Sequence, residues 1–482
     1  MSSPPAVLDP RRWWVLALVS LAQVMVVLDV TIVNVALPSI QDDLGFSADD
    51  LQWVVNAYLL LFGGFLLLGG RLADILGRRR VLLAGLGLFA VASLAGGLAS
   101  SEGLLIAARA VQGLGGALLS PAALAIVTVT FPAGRERNTA LGIWGALAGL
   151  GGTLGVILGG VLVDSLGWEA IFYVNVPIAL LVILAAPRFV PESKAEGIGT
   201  KSFDALGAIL GTTGVLALVF GVIRTGPLGW GAPEVLGAFA ASVLLLMGFV
   251  AHERRVAEPL VPLRLFGSRG LRAAGLGLAL NGSAFLAMFF LSALFLQDVR
   301  GDDALTAGLH FLPMGVTAVL GAGLAARLVT SIGTRPVLIA GGLVSAVGLV
   351  LLTGADAGGS YAAQILPGFA IFGFGISMVG VPNQVVAVAD VRHEDAGAAG
   401  GVVSAAFQIG GALGLAVIST LTNSHVTHLA TTGSSPAEAL TGGFHLGLAI
   451  AAGLAAANAI LAAVASPQLR PTEAELLEAA PA

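Results

Sequence analysis

The chain has 482 residues, of which 57% are hydrophobic and 11% charged, and its mean hydropathy is +0.95. Soluble domains carry about 25% charged residues, so a water-soluble globular protein is excluded. The absence of cysteine excludes disulfides, thiol catalysis and thiolate metal sites. The net charge of −5 says little by itself, because the charges are sorted along the chain.

A membrane span needs roughly 20 apolar residues. Taken in order, about fourteen such stretches begin near Trp13, Leu51, Val81, Leu104, Thr139, Ala170, Asp204, Pro233, Leu271, Leu305, Val337, Tyr361, Ala398 and Phe444. The first, Trp13 to about Leu37, outruns a signal-peptide core and lacks a small-residue cleavage site. Arg11 and Arg12 therefore read as its inside anchor rather than a twin-arginine signal. The 67 glycines suit helices in lipid, where small residues permit close approach.

The 23 Lys and Arg residues then fix a topology. With the amino terminus inside, all but Arg224, Arg300 and the intramembrane Arg109 fall in cytoplasmic segments, as the retention of basic loops requires. The expectation is a multi-pass protein of a bacterial plasma membrane, with both termini cytoplasmic and the protein a monomer.

An internal repeat organises the spans. RLADILGRRRVLLAG, Arg71 to Gly85, recurs as RLVTSIGTRPVLIAG, Arg327 to Gly341, at a constant offset of 256 residues. Two six-helix halves in the same orientation are the parallel repeats of secondary transporters. We expect an all-α membrane protein: residues 1–190 as the first bundle, 191–265 as two inserted spans with cytoplasmic linkers, 266–470 as the second bundle, and 471–482 as a tail.

Four motifs, in order and at the right helices, resemble the major facilitator superfamily, specifically its fourteen-helix drug:proton antiporter branch. They are LDVTIVNVALPSI (Leu28–Ile40), GGRLADILGRRR (Gly69–Arg80), RAVQGLGGA (Arg109–Ala117) and GTLGVILGG (Gly152–Gly160). The resemblance covers nearly the whole chain. It implies that the loop after span 2, with Gly70, Arg71, Asp74, Gly77, Arg78 and Arg79, latches one half to the other. Asp74 is expected to face the neighbouring arginines or a helix amino terminus across the interface. The second copy has Thr330 in place of Asp74, so its latch is expected to be weaker. The resemblance also assigns Gly151, Gly155, Gly159 and Gly160 to a close helix crossing associated with antiport. Val156 stands where the family has a proline, which puts the kink in doubt. WEAIFYVNVP, Trp168–Pro177, resembles another family stretch but carries Glu169 in place of an arginine.

Asp29 and Arg109 are the expected proton-coupling residues. An ionised group at the bilayer centre costs about 2.5–3.5 kcal/mol on insertion scales, so such residues usually have a function. At about 1.5 Å rise per residue, the two lie at compatible depths, in the half remote from the cytoplasm. A fixed arginine favours an ionised carboxyl and burial a neutral one, an opposition that makes protonation depend on conformation. A purely structural ion pair, or an Asp29 near enough to the interface to cap the first span, is the alternative. No arginine matches Arg109 in the second half, so proton handling belongs to the first.

The substrate site is expected between the halves near the midplane. Gln23, Asn34, Asn56, Gln112, Asn281, Phe289 and Gln408 are the candidate lining residues; Tyr58, Ser283, Phe285, Met288, Gln297, Phe311 and Phe407 are further ones. Together they describe a mostly apolar cavity for a small amphipathic molecule. His425 and His428 are placed in a long outer loop before span 14. No metal, cofactor or nucleic acid is expected, and no nucleophile–base constellation suggests an enzyme. The expected function is proton-coupled export of hydrophobic or amphipathic compounds such as antibiotics. Alternatives are a narrower physiological cargo (amino acid, siderophore or lipid) or symport on the same fold, and a membrane scaffold or sensor that no longer transports.

Overall fold

The computed structural model describes residues 12–131, 157–194, 204–256, 259–391 and 396–469, together with residues 136, 140, 143 and 155. These residues are helical, joined by short turns. The first half contains α1 (Arg12–Leu44), α2 (Trp53–Leu76), α3 (Arg78–Gly97), α4 (Glu102–Thr130), α5 (Ile157–Leu166), α6 (Ala170–Tyr173) and α7 (Asn175–Phe189). The inserted pair is α8 (Ala205–Leu228) and α9 (Pro233–Glu253). The second half contains α10 (Arg269–Leu294), α11 (Ala304–His310), α12 (Leu312–Ile332), α13 (Thr334–Leu352), α14 (Tyr361–Gln364), α15 (Leu366–Ala389), α16 (Ala396–Thr431) and α17 (Pro436–Ala465).

Among the described residues, thirteen helical segments are long and apolar enough to cross a membrane. The fifth span expected from Thr139 lies mostly outside the described residues, with α5 as its far end. Gly151 and Val156 also lie outside them. Three of the described spans are interrupted, between α6 and α7, α11 and α12, and α14 and α15. Pro177 has no N–H to offer the Tyr173 carbonyl, and the helix breaks there into α6 and α7. A π-type turn, Phe295–Val299, ends α10.

Within each half the helices pack closely on one another, α2 on α4, α3 on α4, α10 on α16 and α13 on α15 among them. A Cβ at Gly113 would meet the Tyr58 carbonyl, so the α2–α4 approach depends on the missing side chain. The loop after α2 and its repeat are tied down in the same way. Gly77 (φ 117°) and Gly333 (φ 92°) occupy the left-handed region that favours glycine. The residue after each donates its amide to a strand-like segment beyond the last helix of its own half: Arg78 to Ser193 O at 2.9 Å, Thr334 to Leu469 O at 2.9 Å. The sequence repeat is thus a repeat of one anchoring interaction.

The inserted helices do not stand apart. Besides α9, α8 packs on α2 of the first half and on α16 of the second, and so lies along the seam between them. α9 turns Leu236, Val243, Leu244 and Met247 outward, as a lipid-facing helix does. One expectation is corrected here. The region 423–440 is mostly helix rather than loop, because α16 runs to Thr431 and α17 starts at Pro436, capped by Ser435 and Glu438. His425 and His428 lie on that extension of α16. Among the described residues no cluster of three potential metal ligands occurs.

Candidate functional site

Asp29 lies in the middle of α1 and Arg109 in the second turn of α4, and their side chains meet in a fully enclosed pair. Arg109 Nη1 donates to Asp29 Oδ2 at 2.5 Å, and each side chain is 1% exposed. A charge at that depth needs more than one partner, and both residues have several. Arg109 Nε donates to the Val54 carbonyl at 2.8 Å and Nη1 also reaches Gln112 Oε1 at 3.0 Å. Its guanidinium lies 4.4 Å above the centroid of the Tyr58 ring, a cation–π contact, with the Phe172 ring at 5.9 Å.

Asp29 Oδ1 accepts from Gln112 Nε2 at 3.1 Å and from Asn175 Nδ2 at 2.8 Å. Gln112 Nε2 continues to Ser93 Oγ at 2.8 Å. The network therefore joins α1, α2, α3, α4 and α7, and lies wholly within the first half. The expected Asp29–Arg109 pair is present. Gln112, expected to line the substrate site, is instead committed to this network, which corrects its assignment. Asn175 and Ser93 were missed. Asn175 stands two residues before Pro177 in a motif already singled out; a buried amide beside a helix break was the available signal.

The other candidate lining residues separate by half. Asn34 donates to Val30 O within its own helix at 2.8 Å, and its buried amide oxygen has no partner among the described residues. Likewise among the described residues, Asn56 is fully buried with both amide atoms unpartnered, and Gln23 has an unpartnered buried oxygen. Asn281 is buried in α10, whereas Gln408 is half-buried on α16 and packs on Gly63 of α2 at the seam. Phe289 belongs to an aromatic ladder in the second half, Phe407–Phe285–Phe289–Phe311–Phe369, with centroid separations of 6.2, 4.9, 4.9 and 4.9 Å. Gln297 Nε2 donates to Val35 O at 3.0 Å and so joins the two halves. A groove of about 540 Å³ on the flank, lined by Trp53, Leu216, Phe220 and Gly237 among others, contains none of the expected lining residues.

The expected latch residues lie together at the arginine-rich end. Asp74, near the end of α2, pairs across the Gly77 turn with Arg78, the first residue of α3, at 2.9 Å. Arg79 donates its amide to Glu192 Oε1 at 3.1 Å and its guanidinium to Val190 O at 3.0 Å. A Cβ on Gly77 would lie 2.6 Å from Glu192 Oε1, whereas Gly70 faces Pro121 of α4. Arg71 also has an interaction. The contacts seen for Asp74, Arg78 and Arg79 hold the loop to its own half, through Glu192, rather than to the other half. In the second copy Thr330 merely bonds back to Arg327 O.

The glycine motif is a contact surface. Gly155 and Gly159 face α1 at Leu28, Thr31 and Ile32, and Gly160 faces Ala304 and Leu305 of the second half. Beside it, Asp164 accepts from the amides of Ala304 (3.2 Å) and Leu305 (2.9 Å), and Asn423 donates to Asp49 at 3.0 Å. With Gln297–Val35, these bonds draw the halves together at the end opposite the arginine-rich loops.

Two packed helical bundles with a buried acid–base pair in one of them define a membrane transporter. The family model "Major Facilitator Superfamily" matches residues 19–415, and the chain belongs to that superfamily. It is 40% identical to the puromycin resistance protein of Streptomyces alboniger, over 94% of this chain and 91% of that one. It is also 40% identical to a cephamycin export protein of Amycolatopsis lactamdurans, over 88% of this chain and 86% of that one. The fold matches a bacterial homologue of the lysosomal transporter spinster (TM-score 0.64, 17% identity, 98% and 97% coverage). It likewise matches a peptide transporter of the POT family (TM-score 0.67, 17% identity, 97% and 99% coverage).

Proposed function

We propose that the protein is a proton-coupled exporter of hydrophobic or amphipathic compounds, antibiotics among them, in the plasma membrane of a bacterium. The observation that carries the coupling is the Asp29–Arg109 pair, a carboxylate inside the membrane held by an arginine from another helix. Such a group is costly and is retained where a proton must be taken up and released. The relatives are named for resistance to, or export of, puromycin, cephamycin, tetracenomycin C and lincomycin, which favours drug cargo over an amino acid, siderophore or lipid. It also favours transport over a scaffold or sensor role.

In this reading both termini are cytoplasmic, so the end joined by Asp164, Gln297 and Asn423 is the outer gate, closed here. Rocking of the halves around the seam would break those bonds and open the outer side. Protonation of Asp29 weakens its bond with Arg109 and lets the first half rearrange. The aromatic ladder beginning at Phe407 and Phe285 supplies the apolar wall that an amphipathic cargo needs, with Gln408 and Asn281 as neighbouring polar groups. Gln23, Asn34 and Asn56, with unpartnered amide atoms, are the corresponding groups of the first half. The protein works as a monomer.

The test is efflux from proteoliposomes carrying an imposed pH gradient, screened with a panel of antibiotics and dyes. Gradient-dependent export of several unrelated compounds supports the reading. Export of one compound class only favours the narrower physiological cargo, and accumulation in the direction of the proton flux would indicate symport.

A further inference from the structure

Asp29 has three side-chain partners, and they differ in what they can do when the carboxyl changes charge. Arg109 can only donate. Gln112 spends both ends of its amide, the nitrogen on Asp29 and Ser93 and the oxygen on Arg109. Asn175 is different. Its Nδ2 donates to Asp29 Oδ1 at 2.8 Å, its side chain is fully buried, and its Oδ1 has no partner among the described residues. An amide offers a donor and an acceptor on one carbon, and half a turn about its terminal bond exchanges them.

We infer that Asn175 is the positioning residue that follows Asp29 through its protonation change, donating to the carboxylate and accepting from the carboxyl. This rests on Asp29 being the proton carrier. A proton arriving from water adds to Asp29 Oδ1 and makes it an O–H donor. The Asn175 amide turns and presents Oδ1 to that proton, while its Nδ2 takes the unpartnered place. One end of the amide is unpaired in either state, so neither orientation leaves more buried polar atoms unmet than the other. The break in the helix between Tyr173 and Asn175 puts this side chain at an end of α7, where the Pro177 interruption frees it from a continuous helical wall.

Among the described residues, the groups that face Asp29 from the packed helices are few. They are Arg109 and Gln112 on α4, Tyr58 and the Val54 carbonyl on α2, Ser93 on α3 with its link through Gln112, and Asn175 and Phe172 on the α6–α7 segment. Tyr58 and Arg109 are the titratable ones among them.

The experiment measures the pH dependence of gradient-driven export in proteoliposomes for the unaltered protein, Asn175→Leu and Asn175→Ser. A leucine removes both roles. The bond lost from the charged form is the stronger of the two, so the midpoint of the pH profile should move upward by about half a pH unit, roughly a threefold change in proton affinity. A serine, whose hydroxyl can both donate and accept, should restore the midpoint. Substrate binding in detergent and thermal unfolding report whether each variant is folded. A lowered rate for Asn175→Leu with an unmoved midpoint would overturn the inference, as would an equal shift in Asn175→Ser. If Asn175→Leu does not fold, Asn175→Ser against Asn175→Thr and Asn175→Val supplies the same comparison. Failure of the underlying reading is separate: Asp29→Asn would then retain gradient-driven export whatever happens at Asn175.

Discussion

Asp29 and Arg109, 80 residues apart in the chain, meet at 2.5 Å with almost no exposure, and the other hydrogen bonds of this site are arranged around them. Removing one partner of such a pair strands a buried charge, at a cost of about 3–5 kcal/mol. Arg109→Ala should therefore abolish export and lower the yield of folded protein. Arg109→Ala with Asp29→Asn should fold better than Arg109→Ala alone, because the second change removes the stranded charge. Thermal unfolding in detergent would check this, and a double variant less stable than the single would contradict it.

The loop after α2 should be more important to transport than its repeat. Asp74→Asn removes the pair with Arg78, a partly exposed ion pair of about 0–1 kcal/mol. Expression should be nearly normal while export falls several-fold. Thr330→Ala, which loses only a local bond to Arg327 O, should have little effect. Equal loss in the two variants, measured as efflux rate per folded molecule, would show that the copies act alike.

The proposed outer gate should depend on Asp164. Its two bonds to the amides of Ala304 and Leu305, one part-buried and one exposed, cross between the halves and contribute on the order of 0.5–1.5 kcal/mol each. Asp164→Ala should shift the population several-fold toward the outward-open form. The chain has no cysteine, so spin labels at Ser47→Cys and Thr432→Cys report on this end directly. A longer distance component should grow in Asp164→Ala; an unchanged distribution would remove Asp164 from the gate.

Close helix contact in the first half should depend on Gly113. A Cβ there meets the Tyr58 carbonyl, and inserting bulk into a packed core costs about 1–3 kcal/mol or more. Gly113→Leu should lower the unfolding temperature and export together, because Tyr58 supports Arg109. Gly87→Ala, where a Cβ meets open space, should be neutral in both assays.

Much of this fold could be read from the sequence because lipid makes its demands locally. Apolar length sets the spans, and the arginine-rich loops give the pattern of sides. Asp29 and Arg109 were legible because a charge inside an apolar run is rare and expensive. Asn175 was not: a neutral amide in a span has no such signature, and its role depends on which neighbour the α6–α7 break turns it toward. Gln112 was misread for a related reason, since polarity alone does not distinguish a residue facing a cavity from one facing a buried carboxylate. Glu192 escaped notice because its partners lie 113 residues away. His425 and His428 were misplaced because the glycine, serine and threonine residues around 431–435 mark a tight turn between two long helices, rather than a loop.

The sidedness itself is open to a direct check with the same cysteine-free background. A membrane-impermeant thiol reagent added to intact cells should label Ser47→Cys and Ser434→Cys and leave Arg254→Cys and Ser268→Cys untouched until the cells are opened. Labelling of Arg254→Cys from outside would invert the proposed orientation.

The most direct measurement is export by Asp29→Asn under an imposed proton gradient, set beside its substrate binding. The amide matches the protonated carboxyl in shape and neutrality but has no proton to release. Our account predicts near-normal binding with gradient-driven export reduced to background. Full gradient-driven export by Asp29→Asn would contradict it and place the coupling site elsewhere in the chain.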